Sequence, residues 1–265
     1  MGASGGTALI AIVPGPRGRL RVDDGGESAG AAPPLIAVHG LAGSIAHMAP
    51  LLEVLRRTRR AVALDLPAHG ASEAPRDDDL TVEANAEAVL AVADQLGLGR
   101  FALAGHSYGG SVVAHLAARC PERVTALAFL DCGRWQPTLE ELGKIRHGFR
   151  PERYARFVEE KWFGPILVGA REATRHAVLA SLRATPRAVF MAIIHGMLGY
   201  DLRTSAERYP GPKLALCADA FGMASRWEGS TVGTEALPGV SHWLQLDAPE
   251  PVAGALERWT AAAAR

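Results

Sequence analysis

Short apolar runs recur along the chain and indicate buried strands. The clearest are LIAVHG (35–40), AVALDL (61–66), FALAG (101–105), VTALAFLD (124–131) and KLALCAD (213–219), and TALIAIV (7–13) predicts a first strand near the N-terminus. Apolar and polar positions do not alternate cleanly in these runs, so each strand is expected to be covered on both faces. That pattern is typical of the parallel sheet of an α/β protein.

Helical stretches alternate with these strands except in one long segment. Apolar residues recur at helical spacing in segments 48–58, 81–99, 111–120 and 249–265. From about residue 134 to residue 209, the sequence predicts only helices, divided by turn residues. We therefore predict one α/β core, residues 1–133 and 210–265, with a helical cap, residues 134–209, inserted between two strands.

Composition and charge narrow the function classes. The 265 residues carry 28 basic and 28 acidic side chains, which does not favour nucleic acid or an acidic membrane surface as a partner. No apolar run is long enough to span a bilayer, and the N-terminus lacks the basic region of a signal peptide. We therefore expect no membrane partner. We expect a cytoplasmic protein because its three cysteines match no disulfide framework, and a homodimer is compatible with the sequence.

The cysteines and histidines indicate no metal site and no cofactor. Cys120, Cys132 and Cys217 are widely spaced and match neither a disulfide framework nor a metal or redox motif. Cys132 and Cys217 end predicted strands and are expected to be small buried core residues. The nine histidines form no tight cluster with the spacing of metal ligands.

Polar side chains follow several predicted strands. Ser107 lies in AGHSYGGS (104–111), where two glycines flank it in G-x-S-x-G spacing between a strand and a helix. This spacing suits a nucleophile on a sharp turn, because bulkier neighbours would collide there. Asp131 and Asp219 each follow a later strand, and His242 lies in the loop before the last helix. Since ligands bind at the carboxyl ends of parallel strands, a nucleophile, two acids and a base are expected at one edge.

Four segments in this order resemble the α/β-hydrolase superfamily: LIAVHGLAG, ALDLPAHGAS, LAGHSYGGS and LPGVSHWLQLDAPEPV. The resemblance covers nearly the whole chain and is weakest in the helical insertion. It implies the α/β-hydrolase fold with a cap, Ser107 as the nucleophile and His242 as the general base and acid. It points to Asp219 as the triad acid, although the sequence there departs from the usual family form, and Asp131, one strand earlier, is the alternative.

The resemblance also implies an oxyanion hole and a structural loop. The backbone N–H groups of Leu41 and Tyr108 are the expected oxyanion donors. Segment DLPAHGAS (65–72) matches the family's D-x-x-G-H-G-x-S loop, with Ala68 in place of its usual glycine. The candidate substrate pocket comprises His39, His106, Trp162, Phe190, Ile194, Met197 and Trp243.

The predicted reaction is hydrolysis of a small to medium carboxylic ester or lactone through an acyl-enzyme on Ser107. Because the nucleophile is serine, the resemblance excludes the aspartate-based haloalkane dehalogenases and epoxide hydrolases. A C–C bond hydrolase, a hydroxynitrile lyase or a haloperoxidase-like enzyme of the same fold is the alternative, and a ligand-binding receptor is a third hypothesis. Arg187 is a candidate for binding a substrate carboxylate, whereas most insertion arginines are expected on a solvated helix face.

Overall fold

A mixed sheet forms the centre of the molecule. The structure is a computed structural model that describes residues 9–26, 30, 32–133 and 137–263. Within these residues an eight-stranded sheet has the spatial order β1-β2-β4-β3-β5-β6-β7-β8. The strands are β1 (Leu9–Pro14), β2 (Arg19–Asp24), β3 (Leu35–Val38), β4 (Ala61–Leu64), β5 (Phe101–His106), β6 (Val124–Leu130), β7 (Lys213–Ala218) and β8 (Gly233–Leu237).

The sheet is parallel from β4 to β8, and only β2 pairs antiparallel with its neighbours β1 and β4. The predicted α/β fold with a mostly parallel sheet is therefore confirmed. Residues 7 and 8 of the predicted first strand lie outside the described residues. The sequence did not predict β2 and β8, because β2 contains four charged residues and β8 is mostly exposed at the sheet edge.

Helices cover both faces of the sheet. The core helices are α1 (Ala49–Leu55), α2 (Val82–Gln95), α3 (Tyr108–Arg119), α10 (Leu244–Asp247) and α11 (Pro249–Ala263), and short 3-10 helices span Ile45–His47, Asp219–Phe221 and Ala224–Trp227. Successive residues of β3 point to opposite faces: Ile36 packs in the same cluster as α2 and α3, and Leu35 packs with α1 and α11. Burial on both faces explains why the strand sequences do not alternate.

The segment between β6 and β7 is helical. It contains α4 (Leu139–Gly148), α5 (Tyr154–Arg156), a π-helical stretch (Phe157–Phe163), α6 (Gly164–Ile166), α7 (Glu172–Ala184), α8 (Arg187–Leu198) and α9 (Leu202–Arg208). The insertion was predicted to begin at residue 134, but residues 134–136 lie outside the described residues. No single described helix is long and apolar enough to cross a membrane, and α7 and α8 meet those criteria only as a pair bent by 101°.

The helical insertion contacts loops of the α/β core. The Ser181 hydroxyl in α7 donates a hydrogen bond of 2.6 Å to the carbonyl oxygen of Ala42, in the loop after β3. The backbone N–H of His242 donates to the carbonyl oxygen of Ile166 at 3.2 Å. The insertion therefore contacts the two core loops that flank the end of β5, where Ser107 lies.

Candidate active site

Ser107 occupies the turn between β5 and α3. Its backbone has φ 50° and ψ −117°, a left-handed conformation that is strained for a residue with a side chain. The Ser107 N–H donates to the carbonyl oxygen of Leu130 at 3.1 Å, and the Ser107 carbonyl accepts from Gly110 N–H at 2.9 Å. These two hydrogen bonds attach the backbone of Ser107 to β6 and to the start of α3. They fix the position of the Ser107 hydroxyl at the end of β5.

The flanking glycines are required by close backbone contacts. A Cβ atom on Gly105 would overlap the backbone of Gly109, and a Cβ on Gly109 would lie 2.5 Å from the carbonyl oxygen of Val38. Backbone atoms cannot move aside as the end of a flexible side chain can. The G-x-S-x-G spacing is therefore a steric consequence of packing α3 against β3 and β5.

His242 is hydrogen-bonded to a buried carboxylate. Its Nδ1–H donates to Asp131 Oδ2 at 2.6 Å, and Asp131 Oδ1 accepts from the backbone N–H of Ala218 at 2.7 Å. Asp131 has no solvent exposure and a φ of 49° at the end of β6. A proton on Nδ1 leaves the lone pair on Nε2 available, which is the tautomer that a general base needs.

Asp219, the acid that the sequence favoured, lies elsewhere. It is solvent-exposed at the start of the 3-10 helix after β7. The carboxylate against His242 belongs to Asp131, the alternative from the sequence, so the expected contact between Asp219 and His242 is corrected. The physical reason is the strand order: β6 lies beside β5, which carries Ser107 at its end, whereas β7 is one strand further away.

The two expected oxyanion donors lie close to Ser107. Tyr108 is the first residue of α3, and N–H groups in the first turn of a helix have no acceptor within that helix. Leu41, in the loop after β3, lines the same cavity as Ser107 and His242. The Tyr108 side chain points into the core, where its hydroxyl accepts from Asn85 Nδ2 at 3.0 Å and burial raises its pKa above the usual value.

His39 and His106 are both buried next to the site. His39 Nδ1 donates to the carbonyl oxygen of Gly40 at 2.8 Å, and His39 Nε2 accepts from Leu66 N–H at 3.0 Å. His39 therefore anchors the loop before Leu41, and its expected place in the pocket wall is corrected. His106 lines the cavity, and its Nε2 donates to the carbonyl oxygen of His242 at 2.9 Å. Burial lowers the pKa of both imidazoles well below 6.5, so both rings are neutral.

Two adjoining cavities meet at Ser107 and His242. The larger has a volume of about 210 Å³, and Ser111, Tyr200 and Arg226 supply polar side chains to its wall. The smaller has a volume of about 50 Å³, and Leu41, Phe163 and Trp243 make it mainly apolar. The site thus offers a larger, more polar lobe and a small apolar lobe, both of which reach Ser107.

Most expected pocket residues line these lobes. Trp162 and Met197 line both lobes, and Ile194 and Trp243 line the small one. Phe190 does not: it is fully buried behind the wall, 5.9 Å from the Phe149 ring and 6.3 Å from the Trp162 ring between centroids. Its expected role in the pocket is corrected, because it packs the insertion instead.

Sequence reasoning missed the polar wall of the larger lobe. Ser111 could have been found, because it follows Ser107 by four positions and so projects from the same side of α3. Arg226 lies on a 3-10 helix after β7, and nothing in the local pattern relates it to the site. Arg187, the arginine that the sequence proposed, lines a different cavity in the insertion.

The described residues contain no group of three or more His, Cys, Asp or Glu side chains arranged to hold a metal ion. Cys132 also lines the larger lobe, and its thiol donates to the carbonyl oxygen of Gly105 at 3.1 Å. Burial raises the pKa of Cys132 well above its usual value, so its sulfur is a protonated, weakly reactive thiol. Of the two side chains, the Ser107 hydroxyl is therefore the better candidate nucleophile.

The chain is similar in sequence to known proteins. The chain is similar to the dihydrolipoyllysine-residue acetyltransferase component of the acetoin cleaving system of Pseudomonas putida, with 29% identity over 234 residues, 83% of this chain and 61% of that protein. The chain thus spans less than two thirds of that relative's length.

Solved structures show the same fold. The enol-lactonase from Burkholderia xenovorans LB400 superposes with a TM-score of 0.79 and 20% identity, covering 95% of this chain and 100% of the enol-lactonase chain. A thermophilic esterase from Thermogutta terrifontis gives a TM-score of 0.78 and 20% identity, covering 97% of this chain and 99% of that one. Residues 33–167 match the model of the α/β hydrolase fold family. The chain therefore belongs to the α/β-hydrolase fold family.

Proposed function

We propose that this protein is a serine hydrolase that cleaves a small to medium carboxylic ester or lactone, with Ser107, His242 and Asp131 as its catalytic triad. One observation carries the proposal. Ser107, on its strained turn, opens into the same cavity as His242, whose Nδ1 is hydrogen-bonded at 2.6 Å to a carboxylate with no solvent exposure. This combination of a nucleophile, a base and an orienting acid defines acyl-transfer sites on unrelated folds.

In the acylation step, Ser107 Oγ attacks the substrate carbonyl and transfers its proton to His242 Nε2. The tetrahedral oxyanion accepts hydrogen bonds from the backbone N–H groups of Leu41 and Tyr108, each contributing about 3 kcal/mol. The bond from the carbonyl carbon to the leaving oxygen breaks, and His242 protonates that oxygen. Asp131 stabilises the imidazolium and holds its tautomer throughout.

In the deacylation step, a water molecule attacks the acyl carbon and gives its proton to His242 Nε2. The bond between the acyl carbon and Ser107 Oγ breaks, and His242 returns the proton to Oγ. The products are a carboxylic acid and an alcohol, or one hydroxy acid from a lactone. The enzyme returns to its starting state without a cofactor.

The shape of the site supports a substrate with two unequal parts. The lobe of about 50 Å³ has room only for a small apolar group, and the lobe of about 210 Å³ accepts a larger group. The larger group faces Ser111, Tyr200 and Arg226, so the site favours one that carries polar or anionic atoms. We further propose that the helical insertion acts as the cap over these lobes.

The test uses p-nitrophenyl acetate and butyrate with a fluorophosphonate probe. We expect turnover of both esters by the wild type, and mass spectrometry should map the covalent adduct to Ser107. Ser107→Ala should remove both turnover and adduct while keeping the melting temperature of the wild type. A folded wild type with neither turnover nor adduct would overturn the proposal, and activity on a cyanohydrin or a vinylogous diketone would then favour the alternative lyase or C–C hydrolase.

A further inference from the structure

A third cavity, open to solvent, lies on the helical insertion, apart from Ser107. It has a volume of about 490 Å³, within the range of sites that bind small molecules. We call it the insertion cavity. Its apolar wall comes mainly from α4 and α8 and includes Leu142, Ile145, Phe149, Met191, Ile194 and Leu198.

The polar part of the insertion cavity is entirely basic. Arg146, Arg150, Arg187 and His195 line it, and no Asp or Glu is among its lining residues. Among the residues that the structure describes, Arg146, Arg150 and Arg187 form no ion pair, so their charge is not neutralised within the insertion.

Three other arginines of the insertion, Arg156, Arg183 and Arg203, do have acidic partners. Arg156 pairs with Glu160 at 3.0 Å, and Arg183 pairs with Glu159 at 2.5 Å. The acidic residues of α4 are also occupied: Glu140 pairs with Lys144, and Glu141 caps the helix at Thr138. A local excess of positive charge therefore remains at the insertion cavity, beside an apolar wall.

Arg187 is already oriented for binding. Its Nη2 donates to the carbonyl oxygen of Phe149 at 2.8 Å, and its guanidinium lies 5.5 Å from the centre of the Tyr154 ring. A guanidinium that is held in this way keeps other N–H groups to offer to an anion and loses little side-chain entropy on binding.

We propose that the insertion cavity binds an amphipathic carboxylate, with its alkyl chain against the α4–α8 wall and its carboxylate among Arg146, Arg150 and Arg187. The arrangement matches such a molecule at both ends, because the apolar wall removes the chain from water and the arginines pair with the charge. Ile194 also lines the small lobe beside Ser107, so α8 is a common wall of the two sites.

The test is methionine-methyl NMR with octanoate as the probe. The chain has five methionines, and four of them report on three different places. Met191 lines the insertion cavity, Met197 and Met223 line the larger catalytic lobe, and Met48 is buried in the core. Octanoate should shift the Met191 signal saturably and leave Met48 unchanged, and Met191→Leu assigns that signal.

Charge dependence separates this site from a merely apolar cavity. The double variant Arg146→Gln/Arg150→Gln should weaken octanoate binding roughly tenfold, as should replacing octanoate with 1-octanol. Added salt should weaken octanoate binding further. The control is Arg156→Gln, which removes an exposed arginine of the same insertion and should leave binding unchanged.

Three results would overturn the proposal. The first is that octanol and octanoate bind with equal affinity. The second is that Arg146→Gln/Arg150→Gln leaves the affinity for octanoate unchanged. The third is that octanoate shifts the methyl signals of Met197 and Met223 and leaves that of Met191 unchanged. The readout is binding and needs no turnover, so loss of the proposed esterase activity would leave this test intact. The reverse also holds, because ester hydrolysis at Ser107 does not require an occupied insertion cavity.

Discussion

Asp131→Asn tests the proposed triad most sharply, because the structure dictates how the new amide must lie. In the wild type, Asp131 Oδ1 accepts from the N–H of Ala218, and Oδ2 accepts from Nδ1–H of His242. The asparagine has one oxygen and one NH₂ group. The buried N–H of Ala218 needs an acceptor, so the amide oxygen stays there and the NH₂ group faces His242.

The imidazole must then change its tautomer. Facing an NH₂ donor, Nδ1 of His242 becomes an acceptor, and the proton moves to Nε2. Nε2 can then no longer take the proton of Ser107. In serine proteases with the same triad logic, this change lowers kcat by about 10⁴-fold. We expect a loss of about 10³- to 10⁴-fold here, about 4–5.5 kcal/mol of transition-state stabilisation.

The assay is p-nitrophenyl butyrate hydrolysis by the wild type, Asp131→Asn and Asp219→Asn. The matched control is Asp219→Asn, because that side chain is exposed and its change should alter kcat less than about twofold. Thermal unfolding of each variant separates a catalytic loss from a folding defect. The reasoning is refuted if folded Asp131→Asn keeps more than about a tenth of the wild-type kcat, or if Asp219→Asn loses as much activity.

Three further predictions concern stability, each measured by urea unfolding. Gly105→Ala should lower the free energy of unfolding by about 3 kcal/mol or more, because the new Cβ would overlap backbone atoms. Gly143→Ala, at an open position on α4, should raise it by up to about 1 kcal/mol. Equal effects of the two substitutions would contradict the steric explanation. Ala68→Gly should raise the free energy of unfolding by roughly 0.5–1 kcal/mol, because Ala68 has a φ of 62°, which is strained for a residue with a Cβ. A loss of stability would show that Ala68 is not strained.

The third prediction concerns pH. Burial lowers the pKa of His47 from 6.5 to about 4, so His47 stays neutral in the folded state while the unfolded chain binds a proton below pH 6.5. The free energy of unfolding therefore falls as the pH falls from 6.5 towards 4, by about 1.4 kcal/mol per pH unit for this side chain. His47→Gln should reduce this dependence of stability on pH. The same dependence of stability on pH in the wild type and in His47→Gln would contradict this prediction.

The sequence determined the fold class and the local setting of Ser107. Apolar runs buried on both faces, alternating with helices, require a parallel sheet with helices on its two sides, and the structure has that sheet. The glycines that flank Ser107 indicate the strand–helix turn in the sequence itself, because backbone contacts at such a turn exclude larger residues. These features are local, since each depends on neighbours within a few positions.

Only the tertiary structure decided which acid meets His242. Asp131 and Asp219 each follow a strand, and strand order and the turn at the end of each strand are not local properties. The left-handed backbone of Asp131 brings its carboxylate to Nδ1 of His242, and the exposed Asp219 is left outside. The position of Arg187 away from the catalytic lobes is likewise set by tertiary packing. Packing of α8 turns it towards Phe149 and the insertion cavity, and residue type alone carries no such direction.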